Sequence, residues 1–386
     1  MESNGNGQAG GKDLIRIGSR DSELALKQTH MVREAMQRVH PHLNSEIVSM
    51  KTKGDKIQDV ALSKIGSKSL FTKELELALE AQSVDVVVHS LKDLPTTLPD
   101  GMVIGAVLKR EDPRDAVIMH PKYAECTLAT LPKDSVIGTS SLRRSAQLKR
   151  KYPDLCFKSV RGNLNTRFRK LDDADDYAAL VLAAAGVIRM GWKNRISQYL
   201  CDDLCMYAVG QGALAVECRE GDSAILDILA KIADPDTTVE AVAERAFMRT
   251  LEGGCSAPVA VHTKVMEDSL TLKGGVWSLD GSEELVHTMT ILTREPDTSS
   301  DSLRPPKKIA KTCITFCGIV PLPEQKDVMT RANQLGKSLA QTLLDKGADQ
   351  ILKAAKAQNT VNSPPSVSST SNGNIEDKKA LPVNTS

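Results

Sequence analysis

Strand-like segments alternate with amphipathic helical segments through the first half of the chain, and this alternation constrains the fold more than any other feature. Residues 84–89 form an almost continuous apolar run of the kind that a strand covered on both faces shows. Residues 71–82 before it carry apolar positions at helical spacing, as do residues 22–39 after a strand-like segment at 14–18. Repeated strand–helix–strand order predicts an α/β domain.

The pattern repeats between residues 111 and 209 and changes after Asp234-Pro235. A predicted helix at 239–251 is followed by three strand-like segments and by a long helical segment at 327–346. This order is typical of a small antiparallel α+β domain. The polar composition of residues 1–12, 294–308 and 358–386 predicts a flexible N-terminus, a mobile loop and a disordered tail.

Composition excludes several classes of protein. A chain of 386 residues predicts two or three domains, and its net charge of +1 with 3 % aromatic residues disfavours a nucleic-acid-binding surface built on base stacking. We expect no membrane span, no secretory or transit peptide and a cytoplasmic location. The eight cysteines include two C-x3-C pairs without a nearby histidine, so free thiols are expected and no metal site is predicted.

Basic residues are concentrated in one short region. Residues 139–170 contain ten lysines and arginines and one acid. A solvated helix face is one interpretation of this count. The other is an anion site, because Arg143-Arg144 and Arg161 each follow a predicted strand and open a predicted helix, as Arg20 does near the N-terminus. Three such turns predict an anion-binding crevice at the carboxyl edges of the sheets.

Two further positions are candidates for chemistry. Asp93, beside Lys92, lies where the chain leaves the apolar strand at 84–89, which is a usual place for a catalytic group; a turn aspartate and a solvated lysine are the alternatives. Cys255 follows Gly253-Gly254, so its thiol is a candidate nucleophile or attachment point, or else a small buried side chain.

At these residues the sequence closely resembles the porphobilinogen deaminase (hydroxymethylbilane synthase) family, over roughly residues 13–356. The motifs that carry the resemblance are long, and they are Gly54-Asp55 with residues 63–75, then residues 89–95, 138–144, 161–167, 209–213 and 251–258.

The resemblance implies a three-domain fold. Two α/β domains similar to the lobes of periplasmic binding proteins would comprise residues 13–110 with 210–233, and residues 111–209. A small α+β domain would comprise residues 234–357. The family is a transferase that condenses four porphobilinogen molecules into hydroxymethylbilane with release of ammonia, in heme biosynthesis, on a dipyrromethane cofactor. The residue that matches the thioether attachment point is Cys255. A monomer with no membrane or nucleic-acid partner is the family expectation.

The resemblance also assigns roles to individual residues. Asp93 would be catalytic, with Lys92 assisting. The residues in contact with the cofactor would be Asp93 again, together with Lys68, Thr139, Ser140, Ser141, Arg143 and Arg144. Substrate carboxylates would bind Arg20, Ser22, Arg161, Arg167 and Arg189. Asp21 departs from the family pattern and is expected to weaken local attraction for anions, and Ala257 is expected to change only packing. A non-catalytic two-lobed anion-binding protein is the rival interpretation, which leaves Asp93 and Cys255 without a role.

Overall fold

The computed structural model describes residues 14–56, 71–251, 257–293 and 314–361. The strands in these ranges are β1 (Leu14–Arg20), β2 (Asn44–Met50), β3 (Val86–Ser90), β4 (Met102–Val107), β5 (Asp115–Met119), β6 (Val136–Gly138), β7 (Cys156–Lys158), β8 (Ala179–Ala183), β9 (Gln198–Leu200), β10 (Leu214–Arg219), β11 (Val259–Met266), β12 (Ser269–Trp277) and β13 (Glu284–Leu292). The helices are α1 (Glu23–Val39), α2 (Lys53–Lys56), α3 (Lys73–Glu80), α4 (Leu142–Lys151), α5 (Leu164–Asp172), α6 (Ala184–Arg189), α7 (Ser223–Ala230), α8 (Pro235–Thr250), α9 (Lys326–Asp345) and α10 (Ala348–Val361).

Two five-stranded sheets share one topology. The first has the order β2-β1-β3-β10-β4 and the second the order β7-β6-β8-β5-β9. In each sheet the first three strands are parallel, and the fourth is antiparallel to both of its neighbours. The expected pair of α/β lobes is therefore confirmed. β10 returns to the first sheet from beyond the second, so two chain segments connect the lobes.

The third sheet is small and antiparallel, with the order β11-β12-β13. α8 and α9 pack against each other and on this sheet. Phe247 of α8 and Leu335 of α9 are buried in the largest apolar cluster, which also includes Leu94 and Ile104 of the first lobe. The predicted small α+β domain is confirmed, and its core is continuous with that of the first lobe. The domain boundaries expected at 110, 209 and 233 stay a prediction.

Helix ends agree with local capping chemistry. Ser22, Ser141 and Asn163 are N-caps, and the side chain of each accepts a hydrogen bond from a backbone N–H in the first turn. The start of α8 was expected at residue 239, which is wrong. Asp234 caps that helix by accepting from the N–H of Thr237 at 2.9 Å, and proline occupies the first helical position.

Some elements have no clear sequence signal. β4 contains Gly105, which weakens a strand pattern but is required here, because a Cβ at this position would lie 2.6 Å from Leu229 Cδ1 of α7.

α10 runs to Val361, so the expected disordered tail does not begin at residue 358. The predicted flexible N-terminus, the loop at 294–308 and the remainder of the tail lie outside the described residues.

A buried polar network joins the two connecting segments to the third domain. Arg110, on the outgoing segment, donates to both carboxylate oxygens of Glu244 of α8, at 2.7 and 2.8 Å. Glu244 is 0 % exposed and also accepts from the N–H of Gly210, on the returning segment, at 2.7 Å and from Thr263 of β11 at 2.8 Å. One carboxylate thus joins both connecting segments to the third domain at the point where the chain crosses between the lobes.

Candidate active site

A cavity of about 750 Å³ lies between the two lobes. Its walls come from the chain just beyond the carboxyl ends of β1 and β3 in the first lobe and of β7 and β8 in the second. The charged residues of its lining are Arg20, Asp21, Glu23, Lys51, Asp55, Lys92, Asp93, Arg161, Arg167 and Arg189. This arrangement agrees with the predicted anion crevice at the strand ends.

The first-lobe wall presents Arg20 and the N-terminus of α1. Ser22 caps this helix, and its side chain accepts from the N–H of Ala25 at 3.4 Å. The guanidinium of Arg20 bonds to the carboxylate of Asp55, and its carbon lies 4.4 Å from the centre of the Phe71 ring. The Arg20 guanidinium and Thr52 hold the pKa of Asp55 below its ordinary value, although burial opposes this shift. Arg20 is therefore held in place by an internal carboxylate.

Lys92 and Asp93 lie in a single 3-10 turn, Leu91–Asp93, that follows β3 directly. The N–H of Leu91 donates to Ala213 O at 3.0 Å, and the N–H of Leu94 closes the turn on Leu91 O at 3.1 Å. Burial lowers the pKa of Lys92, as do the charges of Arg144 and Arg143, whereas Asp93 and Asp115 act in the opposite direction. Asp93 itself is exposed to the cavity.

Three arginines form the second-lobe wall. Arg167 donates to Gly162 O at 2.8 Å through Nε, and Arg189 donates to Gly212 O at 2.6 Å. Burial lowers the pKa of Arg167 to about 10, with Arg144 and Arg161 adding to the effect, and burial lowers that of Arg189 to about 10. No salt bridge joins Arg167 or Arg189 to a carboxylate within the described part of the chain. These two cations face the cavity without an ion-paired acid in the described part of the chain, and only the more distant charges of Asp93 and Glu111 act on them, so the wall is suited to an anionic ligand.

Arg143 and Arg144 are placed differently from the expectation. Neither is among the residues that line the cavity. Both form salt bridges to Asp115, which is 0 % exposed, at 2.6 and 2.8 Å. The carboxamide of Gln211 also donates a hydrogen bond to this carboxylate, at 2.9 Å. The two arginines and Asp115 form a buried cluster with a net charge of +1, whose field acts on Lys92.

The hydroxyl side chains before α4 also form hydrogen bonds with nearby backbone groups. Ser140 Oγ donates to Val160 O at 2.5 Å, Ser141 caps α4, and Thr139 Oγ1 accepts from the N–H of Ser141 at 3.3 Å. None of the three lines the cavity. Lys68 and Cys255 lie outside the described residues.

Comparison with known proteins decides the family. Residues 15–227 match the family model for the dipyrromethane cofactor binding domain of porphobilinogen deaminase. The model for the C-terminal domain of the same enzyme matches residues 220–314. The chain belongs to the porphobilinogen deaminase family. The porphobilinogen deaminase of Gloeobacter violaceus is 58 % identical over 270 residues, which are 69 % of this chain and 82 % of that protein. That of Synechococcus sp. (strain RCC307) is 45 % identical over 338 residues, or 88 % of this chain and 95 % of that protein.

Solved structures of two-lobed binding proteins share only a distant likeness with this member of the family. The methionine-binding protein MetQ covers 60 % of the chain with 14 % identity and a TM-score of 0.36. The evidence for the two α/β lobes is the matching strand order of the chain's own sheets.

Sequence reasoning missed several residues at the site of this deaminase-family protein. Asp115 begins a buried strand and reads as a core position, although an acid in an apolar strand signals a charged partner. Asp55 and Gln211 lie in the motifs that carry the family resemblance, but the motifs do not indicate which residues these two side chains contact. Gln28 of α1 lines the cavity and exchanges hydrogen bonds with Ser90 at 3.0 and 3.3 Å.

Proposed function

We propose that this chain is a porphobilinogen deaminase, a transferase that condenses four porphobilinogen molecules head to tail into hydroxymethylbilane and releases four ammonia molecules, in heme biosynthesis. The observation that carries the proposal is the cavity. Half-buried arginines that form no salt bridge in the described part of the chain face Asp93 and Lys92 across it. A substrate with an acetate and a propionate on each pyrrole ring supplies the negative charges that this wall lacks.

The residues around the cavity fit a dipyrromethane cofactor. Its four carboxylates need cations, and the buried Nε of Arg189 has no hydrogen-bond partner in the described part of the chain. The proposed attachment is a thioether to Cys255, with Lys68 and Asp93 also in contact. When bound, this group supplies the pyrrole carbon onto which the first substrate is coupled.

Substrate binding is assigned to the arginines of the two walls. Arg161, Arg167 and Arg189 bind carboxylates from the second lobe, and Arg20 and the Ser22 hydroxyl bind from the first. Bidentate pairing of a guanidinium with a carboxylate fixes the orientation of a pyrrole ring as well as its position. On Arg20, a substrate carboxylate replaces Asp55, which holds the same guanidinium in the structure described here.

Asp93 is assigned the proton transfers. Ammonia leaves porphobilinogen from its aminomethyl carbon, and the electron pair of the broken C–N bond goes to nitrogen. The pyrrole that remains is a delocalised cation, which the surrounding arginines destabilise. An ionised carboxylate beside the ring offsets this repulsion, and the same carboxylate accepts the proton lost after the new C–C bond forms. Lys92, with its lowered pKa, orients an anionic group from the same turn.

The cofactor role of Arg143 and Arg144, and of Thr139, Ser140 and Ser141, belongs to the same proposal. For the two arginines it is supported by the charge of +1 that remains on the cluster after Asp115 is counted, and by the action of both arginines on Lys92. Replacing Arg144 with Ala is expected to reduce the fraction of protein that carries the adduct.

Intact mass spectrometry of the purified protein tests the proposal. An adduct of two pyrrole units on the chain, located at Cys255 by peptide mapping and absent from Cys255→Ser, is the expected result. Incubation with porphobilinogen then releases ammonia in equal molar amount to the substrate consumed. A protein that binds porphobilinogen, carries no adduct and releases no ammonia is the non-catalytic anion-binding protein of the rival interpretation.

The location and assembly state follow the family. No helix in the described ranges is long and apolar enough to cross a membrane. We place the protein in the cytoplasm as a monomer that works without nucleic acid or membrane. Gel filtration with light scattering tests the assembly state, and a dimer mass contradicts this part.

A further inference from the structure

Arg245 is a buried cation that the mechanism above does not use. It lies on α8, is 1 % exposed, and forms no salt bridge with a carboxylate in the part of the chain described. Burial lowers its pKa to about 10. Burial of an uncompensated guanidinium costs free energy, so its contacts need a reason.

All its hydrogen bonds go to backbone carbonyls. It donates to Leu94 O at 3.3 Å and Pro95 O at 2.7 Å, the two residues directly after Asp93. Nε and Nη2 donate to Cys317 O at 3.0 and 2.9 Å. Arg249, one turn along the same helix, donates to Thr96 O. α8 therefore holds the chain that leaves the catalytic turn.

The other side of that turn is held as well. The N–H of Leu91 bonds to Ala213 O. Gly210 packs so closely that a Cβ there would lie 2.8 Å from Leu91 Cγ and 3.1 Å from Lys92 N. The returning segment thus fixes the entry to the turn, and Arg245 fixes its exit.

We propose that Arg245 is a positioning residue for the proposed deaminase reaction: by holding the carbonyls of Leu94 and Pro95, it fixes the position of the Asp93 carboxylate in the cavity. A guanidinium suits this task because its planar array of donors reaches three carbonyls at once. Arg245 does not touch the cavity, and it acts only through the backbone. Because α8 ends five residues before Cys255, the same helix sets the exit of the catalytic turn and leads to the proposed cofactor attachment point.

Arg245→Met and Arg245→Lys test this role, with Arg219→Met as the matched control. Arg219 also donates to two backbone carbonyls of the first lobe, Leu79 O at 3.0 Å and Val84 O at 2.8 Å, but these lie in the last turn of α3 and just after it rather than at the catalytic turn. Its guanidinium additionally pairs with Asp85 and Asp222. For each variant we measure kcat and KM per cofactor-loaded molecule, with the loading read from the intact mass, and the melting temperature.

Arg245→Met is expected to lower kcat by about 10- to 100-fold with KM within about twofold, since a small displacement of a catalytic group is enough for such a loss. Lysine restores part of kcat because it retains some of the donors. Arg219→Met lowers the melting temperature and leaves kcat unchanged. The proposal is overturned if Arg245→Met, or Arg245→Lys should the former not fold, turns over at the wild-type rate. Losses of kcat in both arginine variants in proportion to their fall in melting temperature overturn it equally.

The proposal rests on the proposed function, but the two fail in different ways. Wild-type protein without adduct or ammonia release refutes the deaminase activity whatever the variants do. Wild-type activity with an unaffected Arg245→Met refutes the positioning role alone.

Discussion

Asp93 is the residue on which the proposed chemistry depends most directly. Its side chain is exposed to the cavity, while the backbone around it is hydrogen-bonded on both sides. A carboxylate held in this way has a fixed position, and within the described ranges it forms no salt bridge. The Asp93 charge also acts on Lys92 and Arg167, and its carboxylate is open to the contents of the cavity.

Asp93→Asn is therefore expected to leave the fold intact and to abolish most turnover. Asparagine keeps the shape and loses both the charge and the proton exchange, each of which is typically worth about 100-fold or more in rate. The measurement is kcat of protein reconstituted with preformed cofactor, which separates cofactor assembly from elongation. A loaded Asn variant that elongates at nearly the wild-type rate would make Asp93 a turn residue only.

Arg167 should affect substrate handling and not stability. Loss of a charged hydrogen bond to a substrate carboxylate costs roughly 1.5–3 kcal/mol, so Arg167→Ala should lower kcat/KM by about 10- to 100-fold. The melting temperature should change little, because Arg167 is half-buried, lies at the cavity and forms no salt bridge in the described part of the chain. Arg195→Ala is the control, since the guanidinium of Arg195 forms a salt bridge with Asp172 at 2.7 Å. Unchanged kinetics with a large fall in melting temperature would assign Arg167 a structural role.

At the scale of single residues the sequence predicted the cavity walls better than the cluster behind them. Position just after a strand end was enough to place Arg20, Asp93 and Arg161 on one cavity, because strand order in an α/β lobe brings such turns together. It was not enough for Arg143 and Arg144. Their partner Asp115 lies on another strand, and only the folded sheet brings the three charges into contact.

Among the elements, α8 contributes both to the junction at Glu244 and to the contacts of Arg245 with the chain after the catalytic turn. Glu244 and Arg245 are buried toward the junction and the catalytic turn, and Glu240, one turn earlier, faces Arg110 at 3.2 Å. Burial and the charge of Glu244 raise the pKa of Glu240 to about 7, and Arg110 only partly opposes this.

Glu240 is expected to make stability depend on pH. Its folded-state pKa lies above the ordinary value of 4.5. Its contribution to the free energy of unfolding is therefore complete below pH 4.5 and is lost as the pH rises toward 7. The loss amounts to up to about 3 kcal/mol. Denaturant unfolding of wild type and Glu240→Gln between pH 5 and 8 measures it. The stability of the Gln variant relative to wild type should increase with pH across this window. A difference that is constant with pH, or that decreases, contradicts the raised pKa.

Elements with a regular period were predicted, and elements that depend on neighbours were not. β5 and β8 have the bounds that the apolar runs suggest, because a strand buried on both faces is apolar at every position. β9 is three residues long and exists because it pairs with β5. The first turn of α8 was missed because its polar residues are ordered by the Asp234 cap rather than by burial of an apolar face.

For the whole molecule, the decisive feature is that both connecting segments and the third domain meet on one buried carboxylate. Glu244 accepts from both connecting segments and from β11, and Arg110 supplies its counter-charge. Arg110 is also close to the Tyr207 ring, at 5.5 Å, on the returning segment. Neither Arg110 nor Glu244 lines the interlobe cavity, so this junction lies outside it. Sequence alone could not reveal it, since Arg110 and Glu244 are 134 positions apart.

Arg110→Met should consequently destabilise the whole molecule. It leaves Glu244 charged and fully buried without a counter-ion, and breaking a buried ion pair from one side costs about 3–5 kcal/mol. Arg150→Ala is the matched control, because Arg150 pairs with Glu284 between the second and third domains while both side chains are more than a third exposed, which limits its effect to about 0–1 kcal/mol. Denaturant unfolding compares the two, and limited proteolysis of the connecting segments reports whether the loss begins at the junction. If Arg110→Met is no less stable than Arg150→Ala, Glu244 does not hold the two connecting segments to the third domain.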